Sequence, residues 1–161
     1  MKVLVFGRSG QLGSALEKSA PTGYKTIFLT RSDIDFSDPY HLRAVVLSHK
    51  PAVVVNAAAY TAVDRAESEK SIAFKVNGEA PGVLAAACSQ IGALLVHYST
   101  DYVFDGTAIS PYVEGALTNP LGIYGQSKLA GEEAIATVTD RYVILRTAWV
   151  YSLVGQNFLK T

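Results

Sequence analysis

The chain has 161 residues, 49% of them hydrophobic and 17% charged, with fourteen basic side chains against fourteen acidic ones. That length supports one domain with a real core, and the composition excludes a disordered segment. Zero net charge argues against a nucleic-acid partner or an anionic membrane surface, and no apolar run approaches the roughly 20 residues that span a bilayer.

The apolar N-terminus MKVLVFG meets glycine too soon for a secretory signal. A single cysteine, Cys88, allows no internal disulfide and reads as a packed thiol in AAACSQ. A cytoplasmic protein is the expectation. Lys2–Phe6 reads as a buried strand, followed after a glycine turn by a helix with Leu12 and Leu16 on one face. Lys25–Thr30 reads as a second strand and Ile34–Phe36 as a short third. SDPYHLRAVVLSHK reads as a helix with Asp38 as N-cap and Pro39 in the first turn. Ala52–Ala59 is a strand too apolar for a wet face. Residues 62–91 read as helical, with a break at NGEAPG marked by Gly78, Pro81 and Gly82. Ala93–Thr100 is a strand, residues 105–123 a long loop, Tyr124–Val138 a helix and Tyr142–Thr147 a last strand. Apolar strands alternating with helices predict an α/β fold. The expected form is a Rossmann-like, doubly wound parallel sheet with helices on both faces, forming one domain over residues 1–161.

Three local patterns carry chemistry. VFGRSGQLG places Gly7, Gly10 and Gly13 between a strand and a helix. Glycine there permits a tight turn, close approach of a pyrophosphate and close helix–strand packing, while helix-start amides face the phosphates. The second strand ends at Thr30 and Arg31, where an acidic residue would suit NAD; Arg31 instead suits a 2′-phosphate. The expected cofactor is NADP(H), with NAD(H) as the alternative. Asp33 and Asp35 follow closely, and Asp35 with Phe36 could flank the adenine.

YGQSKLAGE sets Tyr124 and Lys128 four residues apart, on one helix face. A neighbouring ammonium would lower the tyrosine pKa, and such a pair can pass a proton to a carbonyl oxygen as hydride arrives. HYSTDYVFDG places Ser99 and Thr100 at a strand end, the edge where open parallel sheets bind ligands.

The stretches GRSGQLG, VVVNAAAYTAVDRAESE, HYSTDYVFDG, YGQSKLAGE and LRTAWVYS, in that order, closely resemble the dTDP-4-dehydrorhamnose reductase family of the extended short-chain dehydrogenases/reductases. The resemblance implies NADPH- or NADH-dependent reduction of the C4 ketone of a dTDP-linked 6-deoxy-hexulose to dTDP-L-rhamnose, a precursor of cell-surface polysaccharide. It implies that Tyr124 donates the proton, Lys128 holds the nicotinamide ribose and depresses the tyrosine pKa, and Thr100 polarises the carbonyl. It assigns Gly10, Gln11 and Leu12 to the pyrophosphate. Ala59, Tyr60 and Thr61 fall to the cofactor's middle, Asp35 and Phe36 to the adenine, and Tyr98 to the cofactor. Thr100, Asp101 and Trp149 would contact the sugar nucleotide.

Bland readings stand beside some of these: Trp149 as a core aromatic, Asp101 as a loop cap, and Asn77 as a helix cap or a water-linked support of the lysine. His97 reads as buried rather than catalytic, and His41 and His49 have no metal-like partners, so no metal cluster is expected. The expectation is that the family's C-terminal substrate domain is absent, since fourteen residues follow LRT. An open sheet edge and an uncovered apolar face would then favour a homo-oligomer. Cofactor binding would survive, with weak substrate binding and poor turnover. Two alternatives remain: another nucleotide-sugar epimerase or dehydratase, and a non-catalytic NADP-binding regulatory module.

Overall fold

The structure is a computed structural model that describes residues 1–153, 155 and 157–160. Five strands, β1 (Lys2–Phe6), β2 (Lys25–Leu29), β3 (Val53–Asn56), β4 (Leu94–Thr100) and β5 (Tyr142–Thr147), form one parallel sheet in the order β2-β1-β3-β4-β5. Among the described residues six α-helices connect them: α1 (Gln11–Lys18), α2 (Pro39–His49), α3 (Val63–Ala66), α4 (Lys70–Phe74), α5 (Ala80–Ile91) and α6 (Ile123–Ala136). A right-handed crossover from β1 to β2 runs opposite in sense to those leading to β3, β4 and β5. It therefore puts α1 on one face and α2, α5 and α6 on the other. The core cluster agrees: Leu4 and Phe6 of β1 pack with Leu42 and Val46 of α2, Leu84 and Cys88 of α5 and Ile135 of α6. The α/β reading with helices on both faces is borne out, but the faces are unequally covered. Val143 and Leu145 of β5 stay 42% and 39% exposed.

The Asp38 cap is as expected. Its carboxylate accepts the amides of Tyr40 and His41, both at 3.1 Å, with Pro39 in the first turn of α2. Cys88 is fully buried, and burial pushes its thiol up to about 12. Ile34–Phe36 is not a strand. Asp33 accepts from the Thr30 amide and hydroxyl, and Asp35 from the Ser37 amide and hydroxyl. These short loops outcompete sheet pairing. The apolar residues between them serve as plugs: Ile34 and Phe36 are buried, with Phe36 edge-on to Phe6 at 5.5 Å. The third long strand stops at Asn56 rather than Ala59, because the Asn56 side chain accepts the Ala58 amide and turns the chain off the sheet.

The helical stretch 62–91 breaks twice. The break near NGEAPG is a π-helical turn at Lys75–Glu79, with Pro81 tolerated in the first turn of α5. The second falls between α3 and α4, where Glu67 and Glu69 are used by other segments. Asn77, in the π-helical turn, caps no helix. It accepts the Tyr60 amide and donates to the Tyr60 carbonyl and the Ser127 hydroxyl, tying the loop after β3 to α6.

Two close approaches set the architecture. Gly7 has φ +89°, and a Cβ on Gly13 would lie 2.1 Å from the Gly7 carbonyl oxygen, so α1 sits directly on the turn. A Cβ on Gly131 would lie 2.1 Å from the Asn77 carbonyl oxygen, which presses α6 onto the π-helical turn. At the far side of α6, Arg146 of β5 grips Glu132 with Nε at 3.1 Å from Oε1 and Nη2 at 2.6 Å from Oε2, and lies over the Phe104 ring.

Gly13→Ala should cost about 2 kcal/mol or more by overpacking in a chemical-denaturation experiment. Gly10→Ala, whose Cβ would meet only the Gly7 carbonyl oxygen at 3.4 Å, should cost under about 1 kcal/mol. Arg146→Ala should cost about 2 kcal/mol or more, because it leaves the nearly buried Glu132 carboxylate unpaired. Arg146→Ala/Glu132→Gln should recover part of that loss.

Candidate active site

The strand order reverses between β1 and β3, and a cleft of about 680 Å³ opens there at the carboxyl ends of the strands. That volume suits a small-molecule or cofactor site. The glycine turn forms one wall, with Gly7, Gly10, Gln11 and Leu12. Arg31, Asp35 and Phe36 line the β2 side. Ala59, Tyr60 and Thr61 follow β3, while Tyr98, Thr100 and Asp101 close β4. Tyr124 and Lys128 descend from α6, and Trp149 comes from beyond β5. The expected residues thus converge on one cleft, with one exception. Gly13 lies buried behind the turn, because its closeness to Gly7 leaves no path to the surface.

At the turn, the N-cap of α1 is Gly10, which has no side chain to bond the first-turn amides. The Gln11 amide oxygen accepts from the Asn157 side chain at 3.0 Å, so the C-terminal segment meets the turn. Asp35 is held below the usual carboxylate range by the Ser37 amide and hydroxyl. Tyr60 donates to Glu69 at 2.6 Å, which raises its own pKa.

The Tyr124–Lys128 pair differs from expectation. Lys128 is only 2% exposed; its amine donates to the Tyr98 carbonyl at 2.7 Å and lies 3.4 Å from His97 Nε2. Burial lowers it to about 8, against the raising pull of Glu132. It does not depress the tyrosine. Burial raises the Tyr124 pKa, the neighbouring Thr100 hydroxyl opposes this, and Asp101 and Tyr102 add to the rise. The phenol is therefore a firmly protonated group at neutral pH. Tyr102 packs edge-on against it at 5.5 Å.

Thr100, not Asp101, caps the short 3-10 turn Asp101–Val103: its hydroxyl oxygen accepts the Tyr102 amide at 3.2 Å and its proton goes to Asp101 Oδ1. Trp149 is no core residue. It is 74% exposed, has φ +51° and leans edge-on against Phe158. Ser99 Oγ is buried beside the cleft with no hydrogen-bond partner among the described residues.

Several supports escaped the sequence reading. Glu67 accepts the Ile123 amide at 2.8 Å and so caps α6, whose own N-cap, Gly122, has no side chain to offer. That partnership spans 56 residues, and no local pattern announces it. Asn56, beneath the cleft, bonds His97 at 3.0 Å. An asparagine at an apolar strand end was a visible signal for a buried polar contact. Among the described residues no group of three or more His, Cys, Asp or Glu side chains could hold a metal ion, and no helix is long and apolar enough to cross a membrane.

Comparison with known proteins matches this geometry. The chain is 52% identical, over its full length, to a dTDP-4-dehydrorhamnose reductase of Burkholderia thailandensis, of which it covers 54%. A dTDP-4-dehydrorhamnose reductase structure from Clostridium acetobutylicum superposes with a TM-score of 0.95 at 40% identity, over 99% of this chain and 57% of that one. A Bacillus anthracis dTDP-4-dehydrorhamnose reductase in complex with NADP also superposes with a TM-score of 0.95, at 36% identity, over the same shares. The chain spans about half the length of the curated relatives it matches. The profile of one family, described as the RmlD substrate binding domain, matches residues 1–161, and the chain belongs to that family.

Proposed function

We propose that this chain forms the cofactor half of an NADPH-dependent reductase acting on the C4 ketone of dTDP-4-dehydro-L-rhamnose, with NADH as the weaker cofactor. The observation that carries the reading is the meeting of Thr100, Tyr124 and Lys128 in the same cleft as the glycine turn. The names of the relatives support the substrate. A cytoplasmic setting belongs to the same reading.

The residues present fit a dinucleotide. A Cβ at Gly10 would meet nothing nearer than 3.4 Å, so protein packing does not demand glycine there. A pyrophosphate approaching the start of α1 would. On this reading Gly10, Gln11 and Leu12 hold the pyrophosphate, with Gln11 giving up its contact to Asn157. Arg31 pairs with the 2′-phosphate. Asp35 and Phe36 flank the adenine, while Ala59, Tyr60, Thr61 and Tyr98 line the middle. Lys128 offers an N–H to the nicotinamide ribose.

When bound, the reduced nicotinamide supplies the hydride. The ketone oxygen then needs one proton, and Tyr124 carries it: a raised pKa keeps the phenol protonated until that oxygen gains charge. Thr100 would exchange Asp101 for the same oxygen and polarise it. Asp101 and Trp149 would contact the sugar nucleotide.

Titration of NADPH and NADH, followed by nicotinamide fluorescence, should show saturable binding that is tighter for NADPH. Arg31→Ala should weaken NADPH about tenfold, the worth of one charge-assisted bond, and leave NADH unchanged. Gly10→Ala should weaken both. Absence of saturable binding for either nucleotide would overturn the reading. With cofactor bound, Tyr124→Phe should slow reduction of the keto-sugar by about 100-fold or more while leaving NADPH affinity in place.

A further inference from the structure

Tyr124 is the second residue of α6, on the turn of the helix least able to hold itself. The first amides of a helix have no partner within it, and helix ends fray. The chain arrives there through a long loop, residues 104–122. Gly122, the N-cap, has no side chain to bond the first turn. Lys128, one turn further on, is fixed separately, because its buried amine donates to the Tyr98 carbonyl at 2.7 Å. The lysine is anchored by its own bond, whereas the phenol depends on how the start of α6 is held.

Packing supports that start from below. A Cβ on Gly125 would lie 2.2 Å from the Tyr102 carbonyl oxygen, so the first turn rests on the 3-10 turn after β4. Such a contact limits approach but does not fix rotation about the helix axis. A hydrogen bond is directional, and Glu67 supplies one: its Oε1 accepts the Ile123 amide at 2.8 Å. The same oxygen seats against Gly122, where a Cβ would lie 3.1 Å from it. Glu67 comes from the junction of α3 and α4, which is itself braced. Two residues on, Glu69 pairs with Arg65 and accepts the Tyr60 hydroxyl at 2.6 Å. Glu67 also lines a second cavity, of about 390 Å³, together with Tyr102 and Tyr124. We infer that Glu67 is a positioning residue for the proton donor: by holding the Ile123 amide it fixes the first turn of α6, and with it the place of the Tyr124 phenol beside Thr100.

Glu67 works here through geometry rather than charge. The Tyr124 pKa answers to burial, the Thr100 hydroxyl, Asp101 and Tyr102. An uncharged amide oxygen accepts from Ile123 as a carboxylate oxygen does, so glutamine can replace Glu67. Alanine cannot. Aspartate keeps the charge but is one methylene too short for the same bond. The inference deepens the proposed function and rests on it for the role of Tyr124 as proton donor.

Glu67→Ala, Glu67→Gln and Glu67→Asp, compared in reduction of the keto-sugar at saturating NADPH, test the role. Glu67→Ala and Glu67→Asp should lower kcat by about tenfold or more, the cost of a misplaced group. In both, KM and NADPH affinity should stay within about twofold of wild type, because Lys128 and the glycine turn are held elsewhere. Glu67→Gln should keep kcat within about threefold of wild type. The ¹³C–¹H ring signals of Tyr124, assigned by their loss in Tyr124→Phe, read its placement without any turnover. They should shift or broaden in Glu67→Ala and return in Glu67→Gln. Wild-type kcat in Glu67→Ala overturns the inference, as does a loss that lies in KM or in NADPH affinity. Glu67→Gln falling as far as Glu67→Ala overturns it too, since charge would then be what matters. If Glu67→Ala does not fold, the other two variants decide: glutamine must be active and aspartate impaired. A wild-type chain that binds NADPH but reduces no keto-sugar would sink the proposed function, and the ring signals would still decide whether Glu67 places Tyr124.

Discussion

The contact on which the site depends is the buried bond from the Lys128 amine to the Tyr98 carbonyl. A lysine side chain reaches that carbonyl only if α6 lies very close to β4, and a buried amine is tolerated only if polar atoms receive it. The first condition is met by small residues. Gly131 lets α6 touch the Asn77 backbone, and Gly78 faces Ala130. The second is met by the Tyr98 carbonyl and by His97, itself held from behind by Asn56. Helix packing and site chemistry are therefore one constraint. A larger residue at the seam would lift the helix and strand the amine.

The same helix is tied down at three further points, each reaching a different element. Glu67 caps its start from beyond α3. Asn77 bonds Ser127 while clamping the Tyr60 backbone, so the loop after β3 and the helix move together. Arg146 binds Glu132 from β5. Such cross-links hold Tyr124 at one place beside Thr100, and positioning of this kind contributes much of a catalyst's rate. The glycine turn follows the same logic at the other end of the cleft. Gly13 brings α1 onto the turn, and a Cβ at Gly10 would meet only the Gly7 carbonyl oxygen at 3.4 Å.

Much of this was legible in the residues themselves. Apolar strands, the glycine turn and the Asp38 cap are local patterns, set by solvent exclusion, backbone sterics and hydrogen bonds within a few residues. The motifs that marked Thr100, Tyr124 and Lys128 named residues that do share a cleft. The misreadings arose where local chemistry competes with itself. IDF has strand composition, but Asp33 and Asp35 fold it into turns. The interruption expected at NGEAPG is present and takes the form of a π-helical turn, against which α6 packs.

The sequence by itself determined the alternation of elements, the glycine turn and which polar side chains meet in the cleft, because each is encoded by spacing along the chain. Only the tertiary structure decided their state. Spacing suggested that Lys128 charges Tyr124, since both share a helix face. The fold instead turns the amine towards β4, where burial lowers its pKa and leaves that of the phenol raised. Burial, which packing between distant segments creates, sets their protonation, and it is not a property of a local stretch.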